Sequence, residues 1–182
     1  MKNKLSSYLF LFSIASVIIA FDQWTKWLVR ENIPFAEFWL PDGLMWLMPY
    51  ARFVHWENSG AAFGLFQNGS LVFGSLAVVV IGVILYFYPQ VEQSEQGMRI
   101  AMAMQFAGAA GNLIDRILFE GKVTDFISVG SFPVFNVADA SITLGVGVLL
   151  LDVWIKERKE KKRKEQASTL PDEPADPGSS RS

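Results

Sequence analysis

The residues of this chain best suited to chemistry are three aspartates in its second half. Asp115 sits in Gly111-Asn112-Leu113-Ile114-Asp115-Arg116, Asp125 in Val123-Thr124-Asp125-Phe126, and Asp139 in Phe135-Asn136-Val137-Ala138-Asp139. Each carboxylate lies inside, or at the edge of, a strongly apolar segment. Placing a charge at the centre of a bilayer costs roughly 3 kcal/mol or more, so an ionisable residue there is a functional suspect by default. Carboxylates held close together push their pKa values apart and share a proton. One can then take a proton from water while the other hydrogen-bonds a carbonyl. The competing reading is a set of structural ion pairs joining helices, for which Arg116 is the best-placed cation; it cannot satisfy three acids.

Other chemistries lack their residues. The chain has no cysteine and one histidine, His55. A thiolate nucleophile and a Cys-based metal site are excluded, and a Ser/His triad or His-rich zinc site is unattractive. No metal and no cofactor is expected. His55 reads as an interface residue of no special role.

The elements that must position the acids are apolar. Of 182 residues, 51% are hydrophobic, with 15 Phe and 6 Trp, and the arrangement rather than the total identifies the class. Runs at about 5–21, 71–88, 100–119 and 134–155 hold few charges, the signature of membrane-crossing helices. A soluble bundle would show polar residues every third or fourth position. The expected fold is an all-α membrane protein with four transmembrane helices. The first run continues into Asp22-Gln23-Trp24-Thr25-Lys26 without a convincing cleavage site, so it reads as an uncleaved helix.

The net charge of −2 averages unlike regions. Lys2 and Lys4 precede the first span, and a basic run at 156–164 follows the last, so both termini are expected in the cytoplasm. The outer segment 28–70, with Trp39, Trp46 and Trp56, should form a small platform at the outer face. It should contain short strands, one at 50–56, and an interfacial helix, with a turn at 58–66 leading into a helix. The organisation is thus a membrane domain over 1–165 and a disordered cytoplasmic tail over 166–182, rich in Pro, Ser and acids.

This layout places Asp22 at the outward end of span 1 and Asp115 near the outward end of span 3. Asp125 falls in the loop between spans 3 and 4, and Asp139 about a turn and a half into span 4. All four acids therefore approach one membrane face. Asp22 and Lys26, at i and i+4, should form a structural pair. Ala103, Ala107 and Gly111, with Gly108 beside them, form a small-residue stripe for close helix contact. Asn136 and Asp139, three apart, share a face.

In order along the chain, Asp22-Gln23-x-Thr25-Lys26, Asn58-x-Gly60-Ala61-Ala62-Phe63, Gly111-Asn112-x-x-Asp115-Arg116, Val123-x-Asp125-Phe126 and Phe135-Asn136-x-Ala138-Asp139 resemble the lipoprotein signal peptidases (signal peptidase II) of bacteria. One departure is Ala107-Gly108, where the family often has Gly-Gly. The resemblance implies an aspartyl endopeptidase of the bacterial cytoplasmic (inner) membrane that cuts diacylglyceryl-modified prolipoproteins just before the lipidated cysteine. It assigns the catalytic pair to Asp125 and Asp139. Asn58, Gly60, Asn112, Arg116 and Asn136 become groups that bind substrate or orient the dyad, and Asp22, Lys26 and Asp115 become structural polar residues. The implied partners are prolipoprotein, membrane lipid and a globomycin-type inhibitor, with no nucleic acid. Two rival functions are a cation- or proton-coupled transporter and a non-enzymatic assembly factor. The first would place acids at the midplane; the second would tolerate Asp→Asn at the site.

Overall fold

A computed structural model describes residues 4–60 and 69–168. Within them the chain forms α1 (Lys4–Asn32), β1 (Phe38–Trp39), a 3₁₀ helix (Asp42–Leu47), β2 (Ala51–Asn58), α2 (Ser70–Phe87), α3 (Gln96–Leu118), β3 (Val123–Val129) and α4 (Val137–Ser168). The molecule is mostly helical, with one small antiparallel sheet of order β1-β2-β3. Two units divide it, Met1–Leu149 and Leu150–Ser182, and every residue of the site described below belongs to the first. In the second, α4 continues past the apolar run, carrying Asp152–Lys156 and Glu160–Lys164 pairs at i, i+4 and Arg158 over Trp154. The helix includes 166–168 of the expected tail; 169–182 lie outside the described residues, as does the 61–68 part of the expected turn and small-residue motif.

Three described helices are long and apolar enough to cross a membrane: α1, α2 with its following turn, and α4. The third expected span is α3, which is long enough but not among them. The reason is its position. Ala101, Ala103, Phe106, Ala107, Ala109 and Gly111 are buried by protein, so this helix carries small and polar side chains where a lipid-facing helix would carry large apolar ones. Leu11 and Ala15 of α1 pack against Ala103, Phe106 and Ala107, together with Ile84 and Tyr88. A Cβ on Gly108 would collide with the Ala138 carbonyl and with Ile142, so α4 approaches the α3 backbone closely there. The small-residue stripe does what the spacing predicts.

α1 runs eleven residues past its apolar run, because Asp22 and Lys26 are enclosed by protein rather than ending the helix at water. Beyond it, Val29 and Ile33 form a second core with Phe126 of β3. This contact fixes the sheet to the helices. The strand expected at 50–56 is present as β2, whereas the loop expected around Asp125 is a seven-residue strand. Both faces of β3 are largely buried, so its sequence lacks the clean alternation of a half-exposed strand. A bulge between Phe53 and Trp56 sets the register that pairs Trp56 with Asp125 and Asn58 with Val123.

Candidate active site

β3 is where the site begins. Asp125 is 1% exposed, and its two oxygens accept from Asn58 Nδ2 at 3.0 Å and Asn136 Nδ2 at 2.7 Å. Asn58 is itself oriented, since Gly60 N donates to its Oδ1 at 2.9 Å. The register supplies this contact: Asn58 lies two residues beyond Trp56, on the same face of the sheet.

Asp139 enters from the start of α4. Phe135 pairs with Ile127 at the edge of the sheet, and the helix begins two residues later, at Val137. Asn136 is therefore its N-cap rather than a residue on its face, and Asp139 lies in the first turn rather than a turn and a half in. Asp139 N donates to Asn136 Oδ1 at 2.9 Å, and Asn136 N donates to Asp139 Oδ2 at 3.3 Å. These reciprocal bonds make a capping box, with aspartate in the place of the usual glutamate. They also place the carboxylate at the positive end of the helix dipole. Asn112 Nδ2 donates to Asp139 Oδ1 at 2.7 Å, and Asn112 Oδ1 accepts from Asn136 Nδ2 at 3.1 Å. The amides of Asn58, Asn112 and Asn136 thus hold Asp125 and Asp139 in one connected cluster.

The other two acids are held differently. Asp22, Lys26 and Asp115 are each 0% exposed, and Lys26 Nζ lies 2.9 Å from Asp22 Oδ2 and 3.3 Å from Asp115 Oδ2. The i, i+4 pair expected from the sequence is present and serves a second acid as well. Asp115 therefore takes its cation from α1 rather than from adjacent Arg116. Gln23 Nε2 bridges Asp22 and Asp115 at 3.2 and 2.9 Å. A Cβ on Gly111 would lie 2.8 Å from Asp22 Oδ2, so only glycine lets this carboxylate sit against α3. Arg116 donates to Asn112 O at 3.2 Å, and its buried Nε has no partner among the described residues.

Burial, and next the charge of Asp139, push the Asp125 carboxyl up to about 7, against the pull of its two amide donors. Among the described residues neither Asp125 nor Asp139 has a cation within ion-pair distance. Lys122, the nearest basic residue to Asp125 in sequence, pairs with Glu57 at 2.7 Å. No group of three His, Cys, Asp or Glu is placed to hold a metal among the described residues. His55 contacts the Ile33 carbonyl through Nδ1 and packs edge-on to Phe35. What remains is a pair of carboxyls, Asp125 buried and titrating near neutrality and Asp139 half-buried, both hydrogen-bonded by neutral donors, with the Arg116 guanidinium close enough to feel both charges. Such a pair can hold one proton and exchange it with water.

A family model for signal peptidase (SPase) II matches residues 14–155. The chain belongs to the signal peptidase II family. The lipoprotein signal peptidase of Shouchella clausii is 38% identical over 151 residues, covering 82% of this chain and 95% of that protein. That of Halalkalibacterium halodurans is 38% identical over 156 residues, covering 83% and 96%. A solved bacterial membrane enzyme, determined in meso at 2.3 Å resolution, superposes with a TM-score of 0.71 at 27% identity, covering 90% of this chain and 93% of its own. Membership makes this a membrane protease of lipoprotein processing, and the transporter and assembly-factor readings fall away.

Three residues without an assigned role in the sequence reading also shape the site. Gln23 lies within a quoted motif but pointed to nothing by itself. Arg30 Nη1 donates to Thr124 Oγ1 at 2.9 Å, and Thr124 N donates to Asp115 Oδ2 at 3.0 Å. Gln23 and Arg30 meet partners some ninety residues away, and Thr124 meets Asp115 nine residues back on another element, so local spacing carried no signal. Asn136 did carry one: Asn-x-x-Asp ahead of an apolar run reads as a capping box.

Proposed function

We propose that the chain is an intramembrane aspartyl endopeptidase with Asp125 and Asp139 as its dyad. It removes the signal peptide from diacylglyceryl-modified prolipoproteins, cutting before the lipidated cysteine. One observation carries the assignment: of the four clustered acids, Asp22 and Asp115 share a buried lysine, whereas among the described residues Asp125 and Asp139 are held by amides alone. A carboxylate bound to a cation is a poor base. One without a cation keeps a proton affinity suited to exchange near neutral pH.

In this mechanism the ionised member of the dyad takes a proton from water, and the oxygen attacks the scissile carbonyl. The protonated member hydrogen-bonds the carbonyl oxygen as it gains charge. Collapse of the tetrahedral intermediate breaks the C–N bond and delivers a proton to the departing cysteine nitrogen. Asn58, itself oriented by Gly60, and Asn112 and Asn136 hold the two carboxyls, and Arg116, whose Nε has no partner among the described residues, offers an N–H to substrate.

α3 crosses as a fourth span, shielded from lipid by its neighbours. Both termini face the cytoplasm and the site lies near the outer face of the bacterial inner membrane, where a substrate can keep its acyl chains in lipid. A globomycin-type peptide would compete there. The test is cleavage of a prolipoprotein by purified protein in detergent, with and without the diacylglyceryl group. Cleavage of the lipidated form alone, just before cysteine, is expected; equal cleavage of both would remove the lipid requirement.

A further inference from the structure

Resting on the dyad reading, we propose that Lys26 is a positioning residue that sets the separation of the two dyad aspartates. Asp22 Oδ1 accepts from the backbone N–H of Ala138 at 2.8 Å, one residue before Asp139. Asp115 Oδ2 accepts from the backbone N–H of Thr124 at 3.0 Å, one residue before Asp125. Each cation-bound carboxylate thus grips the main chain immediately ahead of one dyad member. The two grips meet at Lys26 Nζ, 2.9 Å from Asp22 and 3.3 Å from Asp115. A third contact, 3.0 Å to Asn112 Oδ1, joins the ammonium to the amide that donates to Asp139.

An ammonium has three donors, and three acceptors surround this one. β3 and the start of α4 reach it from separate elements. Their spacing at the dyad therefore depends on where this nitrogen sits; the Gln23 amide bridges the same two acids but brings no charge. Without that charge, Asp22 and Asp115 would face each other across a dry interior as like charges, driving the two grips apart. An ion pair that served stability alone would not need its carboxylates on these particular two amides.

The test compares Lys26→Met, Lys26→Arg and Asp125→Asn with the parent protein in detergent, using a lipidated prolipoprotein. Folded protein is quantified by thermal melting, and kcat and KM are expressed per folded molecule. Folded Lys26→Met should lose about 100-fold in kcat, as expected for displacement of catalytic groups by about 1 Å, with KM changed by no more than about threefold. The charged groups on the elements packed around Asp125 are Asp139 on α4, Asp115 and Arg116 on α3, Lys26 and Arg30 on α1, and the Glu57–Lys122 pair. Removing the lysine cation from this set tightens the hold on the dyad proton. The alkaline limb of the pH–rate profile should then move upward. Lys26→Arg keeps the charge and shifts the donors, so it should lower kcat and leave the limb in place.

A folded Lys26→Met with kcat within about threefold of the parent and an unmoved limb would overturn the proposal. So would a Lys26→Arg protein with parental kcat, or failure of both variants to fold, which assigns the lysine to stability alone. Asp125→Asn separates the two readings. If it stays active the dyad assignment fails; if it is inactive beside a normal Lys26→Met, only the positioning role is lost.

Discussion

Two pairs of aspartates, all buried but the half-buried Asp139, occupy the same end of this protein, and their partners differ. Asp22 and Asp115 touch a lysine that is wholly enclosed. Among the described residues Asp125 and Asp139 accept hydrogen bonds only from asparagines, through their side-chain amides and, for Asp139, the backbone N–H of Asn136. The first pair is bound to cations, Lys26 for both acids and Arg30 at 4.0 Å from Asp115, and also accepts from main-chain donors. The second pair has no cation at ion-pair distance among the described residues, and Asp125 titrates near neutrality. Residue type and burial alone do not separate a scaffold acid from a reactive one; the charge of the partner does.

Substitution by asparagine is the sharpest way to break this contrast. Asp125→Asn or Asp139→Asn should reduce cleavage of lipidated prolipoprotein by at least about 10²–10⁴-fold, the range supplied by a positioned acid or base. The melting temperature in detergent should be little changed. Asp115→Asn should do the reverse. Removing one partner of a buried ion pair costs about 3–5 kcal/mol, so melting and yield should fall, while the surviving folded fraction loses no more activity than folded Lys26→Met does. A stable Asp115→Asn protein as inactive as Asp125→Asn would move Asp115 into the dyad.

The pH profile sharpens the comparison further. The Asp125 carboxyl, raised to about 7, holds its proton below that value and releases it above. The dyad therefore loses its one proton as pH rises through about 7, and kcat/KM for the free enzyme should show an alkaline limb there. An acid limb should follow where both members are protonated. A profile flat from pH 5 to 9 would contradict a shared proton. The smallest effect should come from chelation: EDTA should leave the rate unchanged, and a loss restored by zinc would refute the carboxylate mechanism.

Much of the scaffold was legible in the chain. The apolar runs of α1, α2 and α4, the strand near 50–56 and the Asp22–Lys26 spacing all act through local periodicity. β3 was hidden because burial on both faces mixes Val, Thr, Asp, Phe and Ser in one short stretch. α3 differed from the other helices because its neighbours are protein rather than lipid. The Asn136-x-x-Asp139 spacing fits a shared helix face as well as a capping box, and only the start of α4 at Val137 brings Asp139 into the first turn. Lys26 as partner of Asp115, and Arg30 as partner of Thr124, could not be found by spacing, since both contacts depend on tertiary packing.

The placement of Lys26 also bears on how the chain is made. Its first carboxylate partner lies one turn away on the same helix, so α1 leaves the ribosome with this charge already paired. Asp115 arrives some ninety residues later, on α3. When α3 packs on α1, its carboxylate meets a lysine already in place. Synthesis order and charge order coincide: the first helix is the receptor for the third, and a circular permutation that reversed them would present Asp115 before its lysine existed.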